Sequence, residues 1–220
     1  MTKPVEAMKN FFDARVDSYD EHMLKNVEAT KVIYEIVANQ VISASASRMI
    51  DFGCGTGLEL QFLFEKVPGA LITGIDLSEA MLEHLRNKYR GREEQLELIA
   101  GSYLDLPLAE NYYDYAVSVM SLHHFLRSEK LSFYRKVLSC LMPGGKYIEG
   151  DYTVPTMDEE NRFLVNSIEI RKLNNLPKEL YHIDIPFTPE TQIGLLQAAG
   201  FQQVELVWTS DAVSVIVGVK

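Results

Sequence analysis

Only two cysteines occur among the 220 residues, Cys54 and Cys140, so neither a disulfide framework nor a cysteine-based metal spacing can be drawn. That scarcity fits a reducing, cytoplasmic setting and disfavours chemistry on soft metalloids, which takes more thiolates. No apolar run reaches the roughly eighteen residues of a membrane span, and MTKPVEAMKNFF lacks an apolar signal core, so neither membrane insertion nor export is expected. Positive charge is also short. With 21 Lys and Arg against 31 Asp and Glu, the formal net charge is −10 and the pI near 5.0. The longest basic runs, Arg135-Lys136 and Arg171-Lys172, fall in helix-like stretches and read as solvated faces. Nucleic acid is therefore disfavoured as a partner, because affinity for it rests on Lys and Arg displacing counterions. There is no internal repeat, and 47% hydrophobic content suffices for a single domain over residues 1–220.

What is present concentrates in MIDFGCGTGLEL, residues 49–60. Met49, Ile50 and Phe52 read as a buried strand end. Gly53, Gly55 and Gly57 follow at alternate positions, and Leu58, Leu60, Phe62, Leu63 and Phe64 begin a covering helix. Such a turn lets a ligand approach the backbone and is expected to aim unpaired N–H groups at it, at the carboxyl edge of a parallel sheet. The pattern is G-x-G-x-G. Leu58 stands where a dinucleotide fingerprint has its third glycine, which argues against a pyrophosphate cofactor. ALITGIDL, residues 70–77, reads as a second strand tipped by Asp76, nineteen residues beyond Gly57, where a carboxylate can accept both hydroxyls of a ribose.

DFGCGTG, GIDLSEAML, YDYAVSVMSLHHF and LMPGGKYIEGDY, in that order, resemble successive motifs of the class I S-adenosylmethionine-dependent methyltransferases. FFDARVDSYDEHM and YHIDIPFT look like that family's small-molecule branch, and the resemblance spans residues 10–220. It implies S-adenosyl-L-methionine as cofactor and a small-molecule methyl acceptor, with no metal. Asp51 and the turn through Gly53, Gly55, Thr56 and Gly57 would face the methionine end. Asp76 would hold the ribose, Leu77 would lie against the adenine, and Tyr103 and Met120 complete the cofactor set. The family commonly carries an aspartate for the adenine amino group after the third strand, LELIAGSY. Ser102 stands there instead, so Asp105 or a backbone carbonyl would share the contact. In similar proteins a tyrosine placed like Tyr19 reaches the cofactor carboxylate, whereas the stripe Phe12, Val16, Tyr19 equally suits core packing.

Strand-like segments near 48–53, 70–76, 96–102, 113–120 and 145–151 alternate with helical ones and imply an α/β, doubly wound, mostly parallel sheet of Rossmann-like type. FQQVELVWT and AVSVIVGVK, joined by Ser210 and Asp211, must form a C-terminal antiparallel hairpin and bring the sheet to seven strands. Four regions follow: an N-terminal helical cap of two helices (1–47), with the small-residue stretch 43–47 as its loop to the sheet; a cofactor-binding core (48–152); a helical insertion over the substrate side (153–188); and a last helix with the hairpin (189–220). Ser78, Ser128 and Thr188 are expected helix caps, with Pro189 at a first helical position and Gly200 as a terminator.

Methyl transfer from a sulfonium is an in-line displacement, so alignment and a shielded pocket matter most and a base is optional. His123 and His124 follow the fourth strand at the edge where a methyl group would project. Either could be a base, or one could bond a backbone carbonyl while the other faces solvent. His182 and Asp184 form a second candidate cluster, or a latch between the insertion and the last helix. Glu149, Asp151 and Tyr152 close the fifth strand, and alternation lets at most two share a face. Two other readings stay open. One is methylation of nucleic acid or protein, disfavoured because MSLHHF stands where an Asn-Pro-Pro-Tyr-like motif would be; the other is a non-catalytic cofactor-binding module. A homodimer is compatible with the chain.

Overall fold

A computed structural model describes residues 5–26, 30–42, 47–177 and 180–220. Helices α1 (Met8–Asp13), α2 (Val16–Asn26) and α3 (Thr30–Asn39) precede β1 (Arg48–Phe52). Then follow α4 (Leu58–Lys66), β2 (Leu71–Asp76), α5 (Glu79–Lys88), β3 (Leu96–Ala100), β4 (Tyr113–Val119), α6 (Arg127–Cys140) and β5 (Leu141–Tyr152). The chain ends with α7 (Met157–Leu173), α8 (Pro189–Ala199), β6 (Gln203–Thr209) and β7 (Val213–Val219). All seven strands form one sheet in the order β3-β2-β1-β4-β5-β7-β6. β7 runs antiparallel to both β5 and β6, as a hairpin requires, and the other pairings are parallel. The strand order reverses between β1 and β4, the place where an open α/β sheet leaves a crevice beyond its carboxyl ends.

Side-chain alternation along β1 shows how both sheet faces are filled. Met49 packs with Ile33, Val37, Leu60, Leu63 and Leu85 on one side, while Ile50 and Phe52 pack with Phe133, Tyr134, Val137 and Leu196 on the other. Each of these buried aliphatic and aromatic side chains contributes about 1.5–3 kcal/mol relative to exposure. The same alternation turns Asp51 toward the α3 and α4 side, where it meets Glu59 in the first turn of α4.

Local caps follow the expected chemistry with one exception. Ser78 accepts from Met81 N–H at 3.1 Å, Thr188 accepts from Thr191 N–H at 3.2 Å, and Gly200 ends α8 at φ 112°. Ser128 is no cap. Helix α6 starts one residue earlier, at Arg127, and Glu129 accepts from Leu126 N–H at 2.8 Å, so the carboxylate of the first turn takes the role assigned to the hydroxyl. The N-terminal cap holds three helices where two were expected. The chain turns at Ala14 and Arg15, whose guanidinium is drawn back to the Phe11 carbonyl (2.8 Å) and to Glu6 (3.1 and 3.2 Å). Of the expected loop 43–47, residues 43–46 lie outside the described ones. β5 is longer than expected because Leu141 already pairs with Tyr113, with an irregularity before Lys146 rejoins Tyr115.

The insertion divides into two unlike parts. Helix α7 leaves Phe163, Ile168 and Leu173 exposed, so apolar side chains of this helix face outward. The return segment after it is tied down: Thr188 N–H donates to the buried Glu160 (2.8 Å), which also pairs with Arg127, and Val154 N–H bonds the Phe187 carbonyl at 3.2 Å. This return segment, with α1 laid beside it through Met8 N–H to Leu180 O (2.9 Å), covers the carboxyl edge of the sheet.

Candidate active site

Gly53, Gly55 and Gly57 all have left-handed φ (79°, 48° and 72°), which favours glycine at each, but they differ in what a side chain would meet. A Cβ at Gly53 would collide with the Ser121 side chain, and one at Gly57 would press on Leu85 (3.0 Å) and Tyr89 (3.1 Å). At Gly55 the nearest atom is a ring carbon of Tyr19 at 4.0 Å. Only Gly55 therefore leaves open space for a ligand; the other two admit neighbouring parts of the fold.

The expectation of unpaired amides fails at Gly53, Cys54, Gly55 and Gly57. Gly53 and Cys54 N–H both donate to the Ile75 carbonyl (2.8 and 3.2 Å), Gly57 N–H to the Cys54 carbonyl (2.8 Å), and Gly55 N–H to Asp76 Oδ2 (2.9 Å). Three of these donors are satisfied at the end of β2 and the fourth closes the turn on Cys54. Its product is a fixed carboxylate. Asp76 also accepts from Ser78 N–H through Oδ1 (2.8 Å), so both oxygens are anchored, yet each keeps a lone pair for a further donor. Burial pushes its carboxyl up, and the Ser78 and Gly55 amides pull the other way.

Asp76, Gly53 and Gly55 line a cavity together with Tyr19, Leu77, Ser102, Tyr103 and Met120, all named from the sequence. Met8 and Phe12 of α1, Leu180, Met81, Ser121, His124 and Phe125 complete it. The α1 contribution was legible only as a packing stripe. It is fixed in place by Asp13, which accepts from the Ser78 hydroxyl at 2.6 Å. Tyr103 bonds Ser121 through its hydroxyl (2.9 Å), and Ser102 accepts from Leu104 N–H (3.2 Å). Asp105 is exposed and is not among the lining residues.

Asp51, Thr56 and Gly57 are also not among the lining residues. Thr56 hydrogen-bonds Asp20 of α2, which in turn pairs with Lys88 of α5 (2.6 Å). Asp51 is buried behind the turn beside Glu59, a residue not anticipated because it sits on an otherwise apolar helix start. Burial lifts both carboxyls, Glu59 up to about 7 and Asp51 well above its ordinary value; the Glu59 charge raises Asp51 further, whereas the hydrogen bond from Asp51 pulls Glu59 down.

A larger chamber adjoins the first cavity and shares Phe12, Tyr19, Met120 and His124 with it. Met120, directly after β4, holds a left-handed φ of 52°, a strained conformation for a side chain of this size at the boundary between the two spaces. His123, His182, Asp184 and Tyr152 line the chamber. His123 Nδ1 lies 2.6 Å from Asp151 Oδ1, and Asp151 also accepts from Leu122 N–H (2.9 Å) and Tyr152 N–H (2.8 Å). Burial would raise the Asp151 carboxyl, but the His123 ring holds it below its usual range. His124 lies with Nδ1 3.3 Å from both the Ile183 carbonyl and Asp184 Oδ1. Its pKa is pushed down to about 4 by burial and by the adjacent His123 ring. His182 stacks on Phe11 with ring centroids 3.6 Å apart, and its N–H bonds the Glu6 carbonyl (3.2 Å), so the 182–184 segment is both latch and chamber wall. Glu149, two residues before Asp151, is committed instead to the Tyr134 and Tyr147 hydroxyls (2.8 and 3.1 Å).

A family model described as a methyltransferase domain matches residues 49–145, the span from the glycine turn to β5. Over that span the chain carries a methyltransferase domain of the class I S-adenosylmethionine-dependent type. It is 24% identical over 223 residues to carboxy-S-adenosyl-L-methionine synthase of Campylobacter curvus, covering 94% of this chain and 92% of that protein. It is 27% identical over 132 residues to 24-methylenesterol C-methyltransferase 2 of Oryza sativa subsp. japonica, covering 59% of this chain but only 36% of the longer plant protein. The fold matches that of phosphoethanolamine N-methyltransferase 2 of Haemonchus contortus in complex with S-adenosyl-L-methionine, with a TM-score of 0.72 at 15% identity over 100% of this chain and 61% of that one. The cofactor of this methyltransferase is S-adenosyl-L-methionine. The residues present fit it: Gly55 opens onto the cavity, and Asp76 offers a rigid pair of acceptors for vicinal hydroxyls. Among the described residues no helix is long and apolar enough to cross a membrane.

Proposed function

We propose that this protein transfers a methyl group from S-adenosyl-L-methionine to a small-molecule acceptor held in the histidine-lined chamber. The observation that carries the reading is the shared wall: Phe12, Tyr19, Met120 and His124 border both the cofactor cavity and the larger chamber, so the two spaces meet. The cofactor supplies an electrophilic methyl on a sulfonium. Asp76 accepts the ribose hydroxyls, Leu77 and Ser102 face the adenine, and Gly55 permits backbone approach. Tyr19 and Met120 set the boundary across which nucleophile and methyl carbon must align.

In the chamber, Asp151 orients His123 with its Nδ1–H toward the carboxylate and leaves Nε2 toward the chamber, where it can take a proton from an acceptor hydroxyl or acidic carbon. Asp151 is in this sense a positioning residue. The low basicity of His124 and the lowered pKa of His182 make them the weaker proton acceptors and assign them to lining and orientation. The names of the relatives, a sterol methyltransferase, a phosphoethanolamine methyltransferase and a carboxylated-cofactor synthase, support a small-molecule substrate. An excess of acidic over basic residues supports the same reading against nucleic acid.

Calorimetry with the cofactor and its demethylated product, followed by a product screen over amine, hydroxyl, acidic-carbon and thiol compounds, tests the proposal. Saturable binding and turnover of a small acceptor are expected. Binding without turnover of any acceptor would leave a cofactor-binding module, and turnover on nucleic acid or protein alone would overturn the acceptor class.

A further inference from the structure

Among the described residues, His123, His124 and Asp184 are a group whose nitrogen and carboxylate ligand atoms all lie within 4.8 Å of one another. Asp184 Oδ1 is 3.8 Å from His123 Nε2 and 3.3 Å from His124 Nδ1. Three ligands of one ion, each about 2.0–2.2 Å from it, stand about 3–3.5 Å apart, so small side-chain rotations bring this group to ligand geometry. One further feature belongs to metal centres more than to a hydrogen-bonded knot. His123 is held from behind by a buried carboxylate on its other nitrogen, with Asp151 itself locked by two backbone amides.

We infer that His123, His124 and Asp184 form a binding site for a first-row divalent transition metal at the floor of the acceptor chamber, and that the acceptor is an oxygen donor bound through it. Two imidazoles and one carboxylate suit iron, cobalt or zinc in the divalent state and disfavour calcium and magnesium, which take oxygen ligands. Three protein ligands leave coordination positions open, and the chamber supplies the space for water or an acceptor oxygen there. A phenol, enol or carboxylate oxygen bound at such an ion is held as the anion at neutral pH, so the metal's charge replaces proton transfer to imidazole. The inference rests on the methyl-transfer reading and sharpens it. Nε2 of His123 can be a ligand or a proton acceptor, but not both at once, so the two roles are separable.

Protein stripped with a chelator and dialysed would be titrated with Co²⁺ while its visible ligand-field bands are recorded. Cofactor affinity would be measured calorimetrically on the same samples. Expected are one ion per chain and a weakening of about 10- to 100-fold or more in His124→Ala and Asp184→Asn. Asp184 is 48% exposed at its side chain, so Asp184→Asn removes a ligand with little risk to folding, and its retained cofactor affinity would certify the fold. No saturable Co²⁺ binding by the unaltered protein, or binding as tight in both variants as in the unaltered protein, overturns the metal site while leaving the methyl-transfer reading intact. Loss of cofactor binding in the unaltered protein would strike that reading and leave the Co²⁺ titration unaffected.

Discussion

The cofactor cavity and the acceptor chamber share a wall but are built on opposite plans. The cavity is organised by one continuous stretch and its neighbour in the sheet: Gly53 to Gly57 fold against the end of β2, and every hydrogen bond that fixes Asp76 comes from within about twenty residues. The chamber is assembled across long separations. His123 meets Asp151 across 28 positions, and His124 meets Ile183 across 59. A locally closed device can be conserved in geometry while the space beside it changes, because nothing in the turn depends on the 182–184 segment. The cofactor end is thus a fixed frame, and the acceptor end depends on how three distant segments are brought together.

The largest expected effect strikes the frame. Gly53→Ala places a Cβ on Ser121 at a left-handed φ, and the collision and backbone strain together should cost about 3 kcal/mol of stability in urea unfolding. Gly55→Ala carries only the strain, about 1 kcal/mol, but should weaken cofactor binding disproportionately because its Cβ faces the cavity. Equal destabilisation by the two would erase the distinction between glycines that admit the fold and the one that admits a ligand.

Next comes the chamber. Asp151→Asn removes the charge behind His123, and kcat with a productive acceptor should fall about 100-fold with cofactor affinity unchanged. A matching loss of cofactor affinity would show that the two spaces are not independent. Asp76→Ala is the converse: cofactor affinity should fall by about 2 kcal/mol, roughly 30-fold, as for loss of a charged acceptor of buried hydroxyls. Unchanged affinity would refute the ribose role.

This difference in plan also explains what the chain made legible. The seven-stranded sheet, its antiparallel strand and the cavity side chains Asp76, Leu77, Ser102, Tyr103 and Met120 follow from alternation, spacing and motif order, all properties of short stretches. The satisfied amides of the turn were not legible, since donors left open by a strand-to-helix junction find the Ile75 carbonyl and Asp76 only once β2 lies alongside. Leu180 and Met8 in the cavity wall are ordinary apolar residues without a local signal. His182 and Asp184 could be named as a pair, but that Asp184 stands between His123 and His124 is a property of the folded return segment.

The smallest effect is one of sign, and it sets the two regions directly against each other. Behind the turn, the folded-state pKa of Glu59 is raised from 4.5 to about 7, so the native state binds the extra proton in that window. Stability contributed by the protonated form is complete below about pH 4.5 and declines as pH rises toward 7. In the chamber, Asp184 is lowered from 3.8 to about 2, so its contribution is present above about pH 3.8 and is lost as pH falls through 2. Glu59→Gln should therefore flatten the decline between pH 4.5 and 7 and leave the acid limb unchanged, whereas Asp184→Asn should remove part of the acid limb and leave the neutral one. Chemical denaturation across pH on both variants measures this. If both substitutions altered the same limb, the buried carboxyl pair behind the glycine turn and the histidine-held carboxylate would not be the opposed electrostatic environments that their burial and partners make them.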